Sequence, residues 1–271
     1  MTSTQPDTFT LADRQPAASV IAECLRTQAI ATPRSPIARL FGRTPLSTDA
    51  EPWYVGALGE LEVARRLDSL GSAWRVFHSV PVGRGSSDID HVVIGPPGVF
   101  TINTKHHEGQ EIWLGAKRLL VSGQPTDHLR NASYEAKRAS RLLSAAAHGL
   151  IDVTPVIVIV GARRLTVRER PATVVVLRER GFIKWLESLP AVVPTEAVEQ
   201  IADAAAKPAT WHEMPVLEDA DVAAFGRLRR EVDAARTRRR GWAIAGLLAI
   251  FAALPLGAMA AWTSVMAVLV P

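Results

Sequence analysis

The chain has very little cysteine, and its last stretch carries no charge. A single cysteine, Cys24, stands among 271 residues. One thiol cannot form an internal disulfide, and the chain suits a reducing compartment. The first forty residues hold no long apolar run, so no signal peptide is expected there. No internal repeat is visible, and no low-complexity tract beyond an alanine bias. Gly56 and Gly59 fall inside a helical pattern rather than in a turn between strand and helix, which excludes a phosphate-binding loop at that point.

The other absence is larger. From Gly241 to Pro271 there is no Asp, Glu, Lys or Arg. A transmembrane helix takes about 20 apolar residues, so residues 241–271 are expected to form one C-terminal membrane span, with Pro255 and Gly257 as a tolerated kink. A buried core helix is the alternative, and it seldom runs this long without a polar residue. Arg236, Arg238, Arg239 and Arg240 lie directly before the stretch. Basic residues accumulate on the cytoplasmic side and hold anionic head groups, so a single-pass membrane protein with its main domain cytoplasmic is expected. The formal net charge is +4. These arginines alone account for it, so the rest is nearly neutral and its charge argues little for nucleic acid.

Hydrophobic periodicity organises what precedes. Residues 1–50 read as a variable or partly disordered lead-in, with a short helix within 17–30. Leu58, Leu61, Ala64, Leu67 and Leu70 recur at helical spacing and predict a helix over 53–70, stopped at Gly71. Strands are predicted over 74–82, 89–95 and 98–105, the last two a hairpin around Pro96-Pro97-Gly98, after a polar turn at 83–87. Weaker strands follow over 111–114 and 118–122. A helix fits 129–148. The β-branched run 155–160 predicts a strand buried on both faces. A strand over 173–177 and a helix over 179–189 close a mixed α/β domain of residues 51–190. Residues 191–240 read as a helical linker ending in the basic run.

Chemistry concentrates in three places: Glu60 on the first long helix, Asp90 in Asp88-Ile89-Asp90-His91, and Asn103-Thr104-Lys105 at a strand end. Side chains alternate along a strand, so Asn103 and Lys105 share a face, and Asp90 reaches it if the hairpin is in register. An aspartate inside a β-branched strand is disfavoured by propensity. It serves either a site or an ion pair with Lys105. Carboxylates with a nearby lysine suit metal-assisted phosphodiester hydrolysis: hard oxygens for magnesium, a polarised phosphate and an ionised water, and a lysine for the growing charge. Trp113 and Trp185 are expected in the core. Arg163, Arg164 and Lys137 read either as phosphate-backbone contacts or as solvated charges.

Gly56-x-x-Gly59-Glu60, Ile89-Asp90-His91-Val92-Val93 and Gly98-Val99-Phe100-Thr101-Ile102-x-Thr104-Lys105 together resemble the NERD (nuclease-related) domain, a branch of the PD-(D/E)XK nuclease fold. The resemblance covers about half the chain. It implies a PD-(D/E)XK nuclease-like mixed sheet flanked by helices, with catalytic Glu60, Asp90 and Lys105. It also implies magnesium held by Asp90, Asn103 and Glu60, and DNA or RNA as substrate. The family's position two before the lysine is usually acidic, and here it is Asn103. An amide oxygen ligates magnesium but brings no charge; Asp88, Glu108, His106 and His107 are the candidates to compensate. Two readings follow: a membrane-anchored magnesium-dependent nuclease, or a catalytically weak module of the same fold that binds nucleic acid or a protein partner at the membrane.

Overall fold

A computed structural model describes residues 10–82, 88–212 and 220–269, with no account of the side chains of 255–261 and 263–269. The chain divides into two units, residues 1–24 with 51–221, and residues 25–50 with 222–271. The elements in chain order are α1 (Ala18–Ala29), α2 (Pro36–Leu40), α3 (Glu51–Leu67), β1 (Arg75–Pro81), β2 (Asp88–Gly95), β3 (Gly98–His106), β4 (Glu111–Leu114), β5 (Leu119–Val121), β6 (Gln124–Thr126), α4 (His128–Ala146), β7 (Val153–Val160), β8 (Arg164–Val167), β9 (Val175–Arg178), α5 (Phe182–Ser188), α6 (Thr195–Ala206), α7 (Pro208–Trp211) and α8 (Val222–Leu269). A short 3-10 turn at Leu11–Asp13 precedes α1.

The first unit is built on a mixed five-stranded sheet in the order β1-β2-β3-β7-β9. β1, β2 and β3 form an antiparallel meander, while β3, β7 and β9 run parallel. Parallel neighbours need a crossover, and α4 supplies the one between β3 and β7. Helices cover both faces, which explains the β-branched run of β7. Val156 and Val158 pack with Val63, Phe100 and Phe182, and Ile157 and Ile159 with Leu129 and Ala132 on the other side. Each such fully buried side chain contributes about 1.5–3 kcal/mol. The strand predicted as buried on both faces is so.

A second sheet, β6-β5-β4-β8, lies beyond β3. It adds two strands to the predicted pair. One of them, β8, contains Arg164, in a run read from sequence as a basic loop or a phosphate contact. Trp113 on β4 departs from the expected core position. It is exposed, and its ring lies over Gly115, where a Cβ would meet it at 2.7 Å.

The unit also reaches past the predicted boundaries. Leu11 is fully buried with Phe77 and Val80, and Val198, Ala202, Ala205 and Trp211 join the same core. Part of the expected lead-in and of the expected linker therefore belongs to the packed domain. Small alanines let α6 come close to the sheet, a role that composition reads as a featureless helix.

In the second unit, α8 runs unbroken from Val222 to Leu269. Arg34 pairs with Glu231 at 3.2 Å, the Trp242 indole N–H donates to the Leu40 carbonyl at 2.9 Å, and the Phe41 and Trp242 rings lie 5.1 Å apart. Gly42 has φ +70°, and a Cβ there would fall 2.4 Å from the Ala235 carbonyl oxygen. Only glycine fits. Among the described residues no helix is long and apolar enough to cross a membrane. The expected C-terminal span over 241–271 is thus not found among them, although the described side chains of that stretch end at Leu254, apart from Trp262; residues 270–271 and the predicted turn at 83–87 lie outside the described residues.

Candidate functional site

The sheet brings together Glu60 from α3, Asp90 from β2, Asn103 and Lys105 from β3, and one residue not singled out from sequence, Glu135 from α4. Backbone pairing between β2 and β3 runs from Gly95 opposite Gly98 to His91 opposite Ile102. Beyond it, the Asp90 carboxylate takes over: Oδ2 accepts from the Thr104 backbone N–H at 2.6 Å. The side chain continues the hydrogen bonding and is fixed beside Lys105.

Glu60 sits on the buried face of α3, with Ala57, Val63 and Ala64. The helix approaches β3 closely because position 59 is glycine: a Cβ there would lie 2.9 Å from Cβ of His106 and 3.2 Å from Cγ2 of Thr104. Glu60 itself is only 7% exposed. A glutamate is almost never so buried unless it is paired, yet it has no hydrogen bond or ion pair among the described residues.

Glu135 follows the buried alanine row Ala132, Ala136 and Ala139 on α4. The Asn103 amide donates from Nδ2 to its Oε2 at 3.1 Å. Its other oxygen, Oε1, is shielded from solvent and has no hydrogen-bond partner.

These carboxyls share an electrostatic neighbourhood. Burial pushes Glu60 well above the usual carboxylate range, the charge of Asp90 adds to this, and Lys105 opposes it. Burial also raises Asp90, against the pull of Lys105 and the Thr104 N–H. Burial, with the charge of Asp90, pushes Glu135 up to about 8, against the Asn103 hydrogen bond and Lys105. Each acid responds to Lys105. Even so, Lys105 makes no ion pair or hydrogen bond among the described residues, so the simple Asp90–Lys105 ion pair is not what holds this strand end.

Two histidines border the lysine. The rings of His107 and His128 stack with centroids 5.7 Å apart. Burial and then the Lys105 charge hold both down, His128 to about 4. They are neutral beside the site. His106 instead turns to α3, its Nδ1 3.0 Å from the Val55 carbonyl, with Nε2 3.4 Å from exposed Glu108. Asp88 is engaged by Arg14 at 3.1 Å and by the Ser19 hydroxyl. Of the residues considered as compensating for Asn103, Asp88, Glu108 and His106 are thus committed elsewhere. His91 lies on the opposite face, fully buried, Nδ1 to Nδ1 with His78 at 2.8 Å.

Among the described residues, the proposed nucleic-acid contacts do not join the cluster through any hydrogen bond or ion pair. Arg163 pairs with Glu111 at 2.8 Å beside the second sheet, Arg164 is exposed on β8, and Lys137 is exposed on α4. Arg236, Arg238, Arg239 and Arg240 are exposed on α8 in the other unit.

Among the described residues no three carboxylate, histidine or cysteine groups converge closely enough to hold a metal ion. Magnesium, however, is usually held by one or two carboxylates plus water and substrate phosphate. The hard carboxylate oxygens of Asp90 with Glu60 or with Glu135, whose Oε1 has no partner among the described residues, are of that chemistry. A signal for Glu135 exists in the sequence only as an acid beside an alanine row. Its meaning comes from Asn103 opposite it.

The family model of the nuclease-related domain (NERD) matches residues 55–160. No curated protein and no solved structure matches the chain. The matched segment runs from α3 through β7, the elements that carry every residue of the carboxylate and lysine cluster.

Proposed function

We propose, from the match of residues 55–160 to the family model of the nuclease-related domain, that the chain is a metal-assisted phosphodiesterase acting on DNA or RNA. The observation that carries this reading is an unpaired lysine among three carboxyls. A lysine kept only for stability would be expected to close an ion pair, and among the described residues Lys105 does not. Asp90 is the anionic ligand, oriented by the Thr104 N–H. Glu60 supplies a second carboxylate. Asp90 and Glu60 would hold magnesium, which would supply Lewis-acid polarisation of the phosphate and a more acidic water. Lys105 orients the attacking water and stabilises charge that grows on the phosphate oxygens. Neutral His107 and His128 leave Lys105 the cation nearest that charge.

Asn103 favours a second reading, a binding module without turnover, because the expected acid is an amide whose nitrogen is spent on Glu135. Cleavage of labelled single- and double-stranded DNA and RNA by the full chain separates the two. Metal-dependent cleavage that Asp90→Asn and Lys105→Met abolish supports the enzyme. Binding without cleavage across all substrates, by folded protein, supports the module.

We also propose that the chain is held at a membrane by α8, with the nuclease-related unit on the cytoplasmic side. Ile244, Leu247, Leu248, Ile250, Phe251 and Leu254 are all exposed on the uncharged part of α8 that follows Arg240. So much uncovered apolar surface marks a lipid or protein contact. A chain cut after Arg240 should move from the membrane fraction to the soluble one. An unchanged distribution would refute the tether.

A further inference from the structure

We infer that Glu135 supplies from α4 the carboxylate that position 103 lacks, so that Asn103 and Glu135 form one amide–carboxylate unit with its charge on the helix instead of the strand. The inference rests on the phosphodiesterase reading and deepens it.

Three observations carry it. First, Asn103 shares a strand face with Lys105, and its side chain is bound to Glu135 by a 3.1 Å hydrogen bond. The carboxylate therefore sits one side chain away from where a strand acid would be. Second, the bond uses one oxygen only. Oε1 is buried without a partner among the described residues. A buried acceptor left unsatisfied costs about 1–3 kcal/mol, and such an atom needs an explanation. A cation beside Asp90 provides one. Third, α4 turns a row of alanines toward the sheet. Their small side chains let the helix come near enough for a glutamate to reach the strand end. The amide of Asn103 then orients the carboxylate through its second oxygen, as outer partners orient metal ligands.

A purely structural Asn103–Glu135 bond is the alternative. Exchanging the two chemistries distinguishes them. Asn103→Asp with Glu135→Gln inverts the pair: the helix amide now donates and the strand carboxylate accepts. The full chain in detergent is titrated with MgCl2 and MnCl2 by calorimetry, with folding followed by circular dichroism and cleavage measured in parallel. We expect Glu135→Gln to weaken metal binding by about tenfold or more. We expect the double variant to recover most of the loss in both binding and cleavage. Metal binding that Asp90→Ala abolishes but Glu135→Gln leaves unchanged would overturn the assignment to Glu135 alone. So would a double variant that folds and stays as weak as Glu135→Gln. A natural chain that binds neither metal would instead overturn the metal site, and this inference with it.

Discussion

Asp90, one residue beyond the last position of β2 paired with β3, accepts at 2.6 Å from the backbone N–H of Thr104, the residue before Lys105. The carboxylate has two separable duties: an acceptor for a buried donor, and a charge beside a lysine. Asp90→Asn keeps the first and removes the second. Asp90→Ala removes both. Metal-dependent cleavage should vanish in each. Stability should divide them: Asp90→Ala should lose about 1–3 kcal/mol for the unsatisfied N–H, while Asp90→Asn should be near neutral, because burial already disfavours the ionised acid. Urea unfolding of both variants measures this. Equal losses would mean that the hydrogen bond carries no weight.

Lys105→Met tests the absence of an ion pair. Removing one partner of a buried salt bridge costs about 3–5 kcal/mol. Since Lys105 closes no such bridge among the described residues, the variant should unfold within about 1 kcal/mol of the natural chain. Its cleavage rate should fall by on the order of 100-fold. Large destabilisation with cleavage retained would make Lys105 structural.

The half-buried histidine at the start of α4 makes a pH prediction. Burial holds His128 at about 4 in the folded chain, against an ordinary value of 6.5. The unfolded chain therefore binds the proton first on acidification. This group's contribution is fully present above 6.5, is lost as pH falls, and is gone near 4. Buried His91, held down on the other face of the sheet, acts in the same direction. Glu60, Asp90 and Glu135, raised by burial, act in the opposite direction, so the test is a comparison: as pH falls from 7 to 4, thermal unfolding of His128→Gln should gain stability relative to the natural chain. An identical slope in the variant would remove His128 from the account.

Much of this was readable where periodicity is strong. The apolar repeat along α3, the Pro96-Pro97-Gly98 turn and the β7 run each announce an element, although Leu58 and Leu61 are only half-buried and the buried face of α3 is Tyr54, Ala57, Glu60, Val63, Ala64 and Leu67. β6 and β8 leave no such pattern. They are short, largely uncovered, and one contains Pro125. α6 was legible as a helix and not as core, since alanine marks neither side. That Glu60, Asp90 and Lys105 lie near one another was legible through the residues around them. Glu135 was not, because a glutamate on a helix is ordinarily a solvated charge, and only a contact 32 residues away in sequence, with Asn103, gives it another role.

Gly59 tests whether helix position matters to the site. A Cβ added there would lie 2.9 Å from His106 and 3.2 Å from Thr104, both closer than ordinary contact. The helix has to shift or the strand end has to give, and overpacking of this kind costs about 1–3 kcal/mol. Glu60 is the next residue on α3, and Thr104 holds Asp90 in place. The strain therefore falls on the geometry between two of the carboxylates. Gly59→Ala improves helix propensity by about 1 kcal/mol, which offsets part of the loss in stability but none of the displacement. The expected outcome is a modest drop in melting temperature with a much larger drop in metal-dependent cleavage. Gly56→Ala on the same helix is the control, because its Cβ would meet only Val20 at 3.4 Å. If the two variants cleave alike, the close approach at Gly59 does not position the site.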